Sequence, residues 1–240
     1  MGKRGLMEPL AESTPSSLRG SAPRTVIFCQ DGAFTQDWLD RTPHAPCSYS
    51  PRLCQLTDHP HVVIADVQQG SRPMLSKLEE CILWGVQQFI FIGVADSLHP
   101  KAKTGDIALC DKALRDEQVS SRYLPPAKYI HAPRRMMNKL LVELKKADLP
   151  HHVGTSWTTD GLFCNASEQI ENYKKEGILM VDSQAAALFA CAHFYQVDLS
   201  ALFSIHGVYN ETLTEPSTDS EAVRTGLRTL FELSLSAAQE

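Results

Sequence analysis

The sequence predicts an α/β fold, a single-domain mixed β-sheet flanked by helices on both faces. Short β-rich apolar runs alternate with segments whose apolar residues recur at helical spacing, as in Thr25–Cys29, Val62–Ala65 and Met74–Trp84. The run Phe89–Ile92 is continuously apolar, as a parallel strand covered on both sides must be. No internal repeat or second linker interrupts the pattern, and 240 residues at 43% hydrophobic suffice for one full core.

Along the chain, Thr25–Cys29 and Val62–Ala65 read as strands, Met74–Trp84 as a helix and Phe89–Ile92 as the next strand, which together make a βαβ unit. The apolar run is read as ending in a turn at Gly93. Ile107–Leu109 then reads as a strand, Arg134–Lys146 as an amphipathic helix, and Val153–Thr158 as a strand after the Asp148-Leu149-Pro150 break. Residues 167–176 read as a helix, Ile178–Val181 as extended, Ser183–Tyr195 as an Ala-rich helix and Leu199–Ile205 as a strand. Asp219–Ala237 closes the chain as a helix, with Asp219 or Ser220 as its N-cap. Residues 1–23 are rich in Ser, Pro, Gly, Lys and Arg without an apolar core, and are expected to be a disordered leader or an expression remnant; residues 24–240 form the domain.

A formal charge of −5 gives no basic field for nucleic acid, and no apolar run is long enough to span a membrane. The seven cysteines are odd in number and scattered, never at C-x-x-C spacing, so neither a disulfide framework nor a metal site is indicated. The expectation is a cytoplasmic protein with no cofactor, no metal, no membrane partner and no nucleic-acid partner.

Five segments occur in a telling order: FIFIGVADSLHPKAKTGD at Phe89–Asp106, the Arg115-Asp116 region with its Pro-containing loop in Ala113–Ala132, VGTSWTTDGLF at Val153–Phe163, GILMVDSQAAALFACA at Gly177–Ala192, and Leu202–Pro216. Over roughly residues 25–235 they resemble the nucleoside phosphorylase superfamily, nearest to its uridine phosphorylase branch. The resemblance implies a nucleoside phosphorylase-like fold, cleavage of an N-glycosidic bond, and a homodimer or higher homo-oligomer. Such chemistry needs a nucleophile on one face of the sugar, hydrogen bonds to its hydroxyls and stabilisation of the departing base.

By the same resemblance, phosphate would be held by the loop after the first strand, by an arginine on the central strand and by the turn after it. Here the loop reads Gln30-Asp31-Gly32, the arginine position is Phe91, and the turn is Gly93-Val94-Ala95-Asp96-Ser97, so Phe91, Val94, Ala95 and Asp96 are substrate-binding candidates. A dianion needs guanidinium forks and bare amides. Asp96 instead supplies a carboxylate, and like unit charges about 5 Å apart at a dielectric near 20 repel by roughly 3 kcal/mol, a dianion by about twice that. Arg52 and Arg72 are the remaining sources of positive charge, either there or as solvated surface groups.

Ribose recognition falls on Asp182, Ser183 and Gln184, where relatives carry Glu-Met-Glu; Gln184 accepts a hydrogen bond but lacks charge. The competing reading makes Asp182 or Ser183 a helix cap. Phe163 is either an aromatic wall for a base or core filling, and Asn210 lies in the loop resembling V-N-R-T. His206, at the end of the late strand, is a candidate proton donor or a packing residue. Asp160 is a candidate base or a loop-structuring carboxylate.

Three functions follow. The first is a nucleosidase-like enzyme that cleaves an N-glycosidic bond without a normal phosphate site. A second is a true phosphorylase whose arginines come from a neighbouring subunit. In the third the fold is kept for an unrelated small-molecule reaction or for non-catalytic binding. The ligand in each case is a small molecule, nucleoside-like or, given Phe91, more apolar.

Overall fold

The computed structural model describes residues 22–47, 49–50, 53–67, 71–161, 167–209 and 220–239. The strands are β1 (Thr25–Cys29), β2 (His44–Pro46), β3 (Leu53–Leu56), β4 (Val62–Asp66), β5 (Gln88–Ser97), β6 (Ile107–Asp116), β7 (Tyr129–His131), β8 (His151–Thr159), β9 (Met180–Asp182) and β10 (Asp198–Val208). The helices are α1 (Gly32–Leu39), α2 (Ser71–Trp84), α3 (Arg134–Lys146), α4 (Ser167–Lys175), α5 (Ala185–Tyr195) and α6 (Glu221–Gln239).

One mixed sheet holds all ten strands of the described residues. β1 lies between β4 and β5 and is parallel to both, so β4–α2–β5 is the βαβ unit expected from the sequence. Beyond β5 the ladder returns on itself: β5 pairs with β10, β10 with β6, β6 with β8, β8 with β9, and β9 with the end of β5. Five strands thus close a ring, while β1, β4, β3 and β2 extend from it as an open arm.

The pleat divides the core. Val26, Phe28, Phe89 and Phe91 face α2 and α5, whereas Ile27, Cys29, Ile90 and Ile92 face α1, α3 and α6. In α3, Met136, Leu140 and Leu144 repeat every four residues and are its buried face. The first eight residues of α5 are all buried, which explains a composition of alanine, leucine, phenylalanine and cysteine with no polar side.

Gly93 is not a turn. β5 continues through Val94, Ala95 and Asp96 to Ser97 because β10 pairs with it along its whole length and β9 pairs with its end. Non-local pairing therefore carries the strand past the apolar run. A Cβ at Gly93 would lie 2.7 Å from Gln30 Oε1 and 2.9 Å from the Phe91 ring, so glycine is required by close approach. Likewise Gly105 serves packing: its φ is +87°, and a Cβ there would meet Ala222 of α6 at 2.9 Å.

Sequence periodicity did not reveal α1, β2, β3 or β7. α1 is short and starts where Asp31, read as part of a loop, accepts a hydrogen bond from the Phe34 N–H at 2.8 Å and caps the helix. Before α6, Asp219 lies outside the described residues; Ser220 immediately precedes the helix and its carbonyl accepts from the Arg224 N–H.

Candidate functional site

The carboxyl ends of β5 and β10 meet β9 beside the start of α5. In the register of β10 on β5, Ile205 pairs with Ala95 and Gly207 with Asp96, so His206 occupies a bulge between them. His206 Nδ1 lies 3.2 Å from Asp96 Oδ1, with the two side chains 9% and 26% exposed. The carboxylate can only accept, so Nδ1 carries the hydrogen, leaving Nε2 to accept when neutral and donate when protonated. That Nε2 is buried and has no hydrogen-bond partner among the described residues. The sequence named both residues but did not pair them; their contact spans 110 positions and has no local signal.

Asp182 ends β9, and its neighbour Val181 pairs with Asp96. Its Oδ1 accepts from Ser156 Oγ and Thr158 Oγ1, both at 2.7 Å, and its Oδ2 from the Gln184 and Ala185 N–H groups, both at 2.6 Å. Burial pushes its carboxyl above the ordinary value, with these four hydrogen bonds opposing that shift. The Ala186 N–H donates to Thr158 Oγ1. The three leading N–H groups at the start of α5 are therefore taken up by Asp182 and Thr158, and that helix end presents none of them to an anion. Asp182 is a helix cap rather than an open ligand contact, because both oxygens are occupied.

Ser183 offers its carbonyl to Ser71 Oγ at 2.6 Å, tying the start of α2 to this region. Gln184 is 1% exposed, and its Oε1 has no partner among the described residues. Gln30 Oε1, beside Gly93 at the end of β1, is also buried and unpartnered. Sequence reasoning placed Gln30 in the loop after the first strand but did not name it as a site residue. Its signal was a polar residue immediately after a wholly buried parallel strand.

The expected grouping of Phe91, Val94, Ala95 and Asp96 is divided by the pleat, since a strand sends alternate side chains to opposite faces. Phe91 is fully buried and meets Phe203 edge-on with ring centroids 5.8 Å apart, so it belongs to the core rather than to an open ligand wall. Ala95 faces the same core, while Val94 packs against the core on the opposite face of the sheet. Asp160 is exposed and accepts from the Gln118 N–H at 3.3 Å, holding the end of β8 to the loop after β6. Arg115 of the Arg-Asp motif donates to Ser120 Oγ and to the Pro125 and Leu124 carbonyls, and Asp116 accepts from Trp157 Nε1, so this motif organises a loop. Phe163, Asn210 and Arg52 lie outside the described residues. Among the described residues, no group of three or more His, Cys, Asp or Glu is placed to hold a metal ion, and no helix is long and apolar enough to cross a membrane.

Strands ending in a shared polar cluster within a partly ring-closed mixed sheet define an α/β protein, the class in which ligand sites are found at strand ends. Residues 59–235 match the family model of the Phosphorylase superfamily, and the chain belongs to that family. Among curated relatives, it is 28% identical over 158 residues to the DeoD-type purine nucleoside phosphorylase of Bacillus velezensis, covering 63% of this chain and 64% of the relative. It is 26% identical over 140 residues to the DeoD-type enzyme of Streptococcus pneumoniae, covering 58% of each. The matches thus span less than two thirds of these relatives' length. The uridine phosphorylase of Vibrio fischeri ES114, solved with 6-hydroxy-1-naphthoic acid, superposes with a TM-score of 0.78 at 18% identity, over 91% of this chain and 92% of that one. Toxoplasma gondii purine nucleoside phosphorylase, solved with immucillin-H, gives 0.78 at 17% identity over 92% of each chain. These structures share the nucleoside phosphorylase fold.

Proposed function

We propose that this chain binds a nucleoside or nucleoside-like small molecule at the ends of β5, β9 and β10 and cleaves its N-glycosidic bond with water as the acceptor. The observation that carries the reading is the His206–Asp96 pair, whose free Nε2 is buried and unpartnered at the strand ends. Asp96 orients the ring; protonated His206 donates from Nε2 to the base as its bond to the sugar breaks, water bonds to the anomeric carbon and gives up its proton to solvent, from which His206 is reprotonated, while Gln184 accepts from a sugar hydroxyl. Phosphate is disfavoured because the central-strand cation position is buried Phe91, the leading N–H groups of α5 are taken up by Asp182 and Thr158, and the Asp96 carboxylate offsets the charge of protonated His206.

Base release from a nucleoside panel, followed chromatographically with and without phosphate, tests this reading. The expected rate is independent of phosphate and falls by about 10²-fold in His206→Asn. Strict phosphate dependence would instead support the phosphorylase reading with cations from a second subunit. Neutral Gln184 favours one other reading, a binding protein or a fold repurposed for another small molecule, since Gln184 brings no charge to stabilise a developing sugar cation. Nucleosides that raise the melting temperature without being cleaved would establish binding, and release by Gln184→Glu alone would show that this one charge was missing.

A further inference from the structure

A separate cleft of about 590 Å³ lies between α2 and the loop after β6. Its size is that of a small-molecule site rather than a single inorganic ion. Arg72 and Arg122 both line it, both are exposed, and neither forms an ion pair among the described residues. Glu79 is the acidic side chain in the lining, and its Oε1 is already held by two phenols, Tyr123 at 3.0 Å and Tyr195 at 2.9 Å. This anchoring leaves Oε2 as an acceptor. Burial, with the Glu79 charge contributing, pushes both tyrosine hydroxyls well above their ordinary range, so they remain donors to that carboxylate.

Tyr123 is itself held edge-on against Phe194 and Tyr195, with centroids 5.8 and 6.2 Å away, which fixes an aromatic wall. Glu117 accepts from the Val119 and Ser120 N–H groups and fixes the turn that carries Arg122. Ser76 adds a hydroxyl to the lining, and Ser121, whose Oγ donates to the Gln118 carbonyl at 2.6 Å, adds an acceptor oxygen. The resulting chemistry is two guanidinium groups for a multiply charged anion, with hydroxyls and one carboxylate oxygen for a polyol.

We propose that this cleft is a binding site for a phosphomonoester of a hydroxylated small molecule, of the sugar phosphate class. The arginines take the phosphate, Glu79 Oε2 accepts from a sugar hydroxyl, and Tyr123 covers one face of the ring. The site is distinct from the strand-end cluster, although Arg72 follows Ser71, whose hydroxyl bonds the Ser183 carbonyl.

Calorimetric titration of the full chain with glucose 6-phosphate, glucose and inorganic phosphate tests the assignment. The sugar phosphate should bind saturably, and each parent fragment at least about tenfold more weakly, since each lacks one set of charge-assisted bonds. Arg72→Gln with Arg122→Gln should weaken binding by at least about tenfold; both side chains are exposed, so circular dichroism should match the wild type. His206→Asn, which alters the strand-end cluster alone, should leave binding unchanged and separates this proposal from the one above. Absence of saturable binding, undiminished binding in the double variant, or loss in His206→Asn would each overturn it.

Discussion

Removing the Asp182 carboxylate should cost the fold more than any ligand contact. In Asp182→Ala the α5 N-terminus loses its cap, worth about 1 kcal/mol, and the hydroxyls of Ser156 and Thr158 lose their acceptor in a fully buried setting, at roughly 1–3 kcal/mol each. Recovery of the carboxylate's own burial cost keeps the net loss toward the lower part of that range, about 4 kcal/mol. That is a large fraction of the roughly 5–15 kcal/mol that holds a domain. With a urea slope near 3 kcal/mol per molar, the unfolding midpoint read by far-ultraviolet circular dichroism should fall by about 1.3 M. Asp182→Asn, which retains one acceptor oxygen, should fall between the two. A midpoint within about 0.3 M of the wild type in Asp182→Ala, under 1 kcal/mol at that slope, would refute the structural role and return Asp182 to the list of ligand contacts.

Phe91→Ala empties a fully buried aromatic site against Phe203 and should destabilise by about 3–5 kcal/mol in the same assay; a near-neutral result would mean that the ring is not core. Gly226→Ala places a methyl against Ser204 Oγ and 2.9 Å from the Gly105 carbonyl, forcing α6 away from β10, and should lower stability by roughly 1–3 kcal/mol, measured by thermal unfolding. Asp106 feels burial that raises its pKa, but the Lys103 N–H and His152 outweigh it and hold the carboxyl below its ordinary value of 3.8. Its contribution is therefore present above that value and lost as pH falls through the lower folded-state value. The stability gap between wild type and Asp106→Asn should shrink on acidification, and a gap that widened in urea titrations across that range would contradict the assignment.

The extent of α3 could be read from the sequence because local features set it: apolar residues at helical spacing and the Asp148-Leu149-Pro150 break that follows. Buried parallel strands were equally legible at β1 and β4, where continuous apolar runs leave no alternative to burial on both faces. The later half of β5 was not, because Val94 to Ser97 become strand only through partners supplied by β10 and β9, roughly a hundred positions downstream. Misreading that segment as a turn gathered Phe91, Val94, Ala95 and Asp96 into one imagined pocket, which the pleat then separates. Gln184 and Asp182 illustrate the same limit at the site. Their types and order suggested a polar cluster, but which carboxylate is consumed by capping depends on hydroxyls from β8.

By itself the sequence determined the class of fold, the family and the absence of a cation on the central strand, since these rest on local periodicity, motif order and residue identity. Tertiary structure alone decided that Asp96 holds His206, that Asp182 closes α5, and that Arg72 and Arg122 share a cleft. Each of those depends on distances between residues far apart in the chain, which only sheet register and helix packing set.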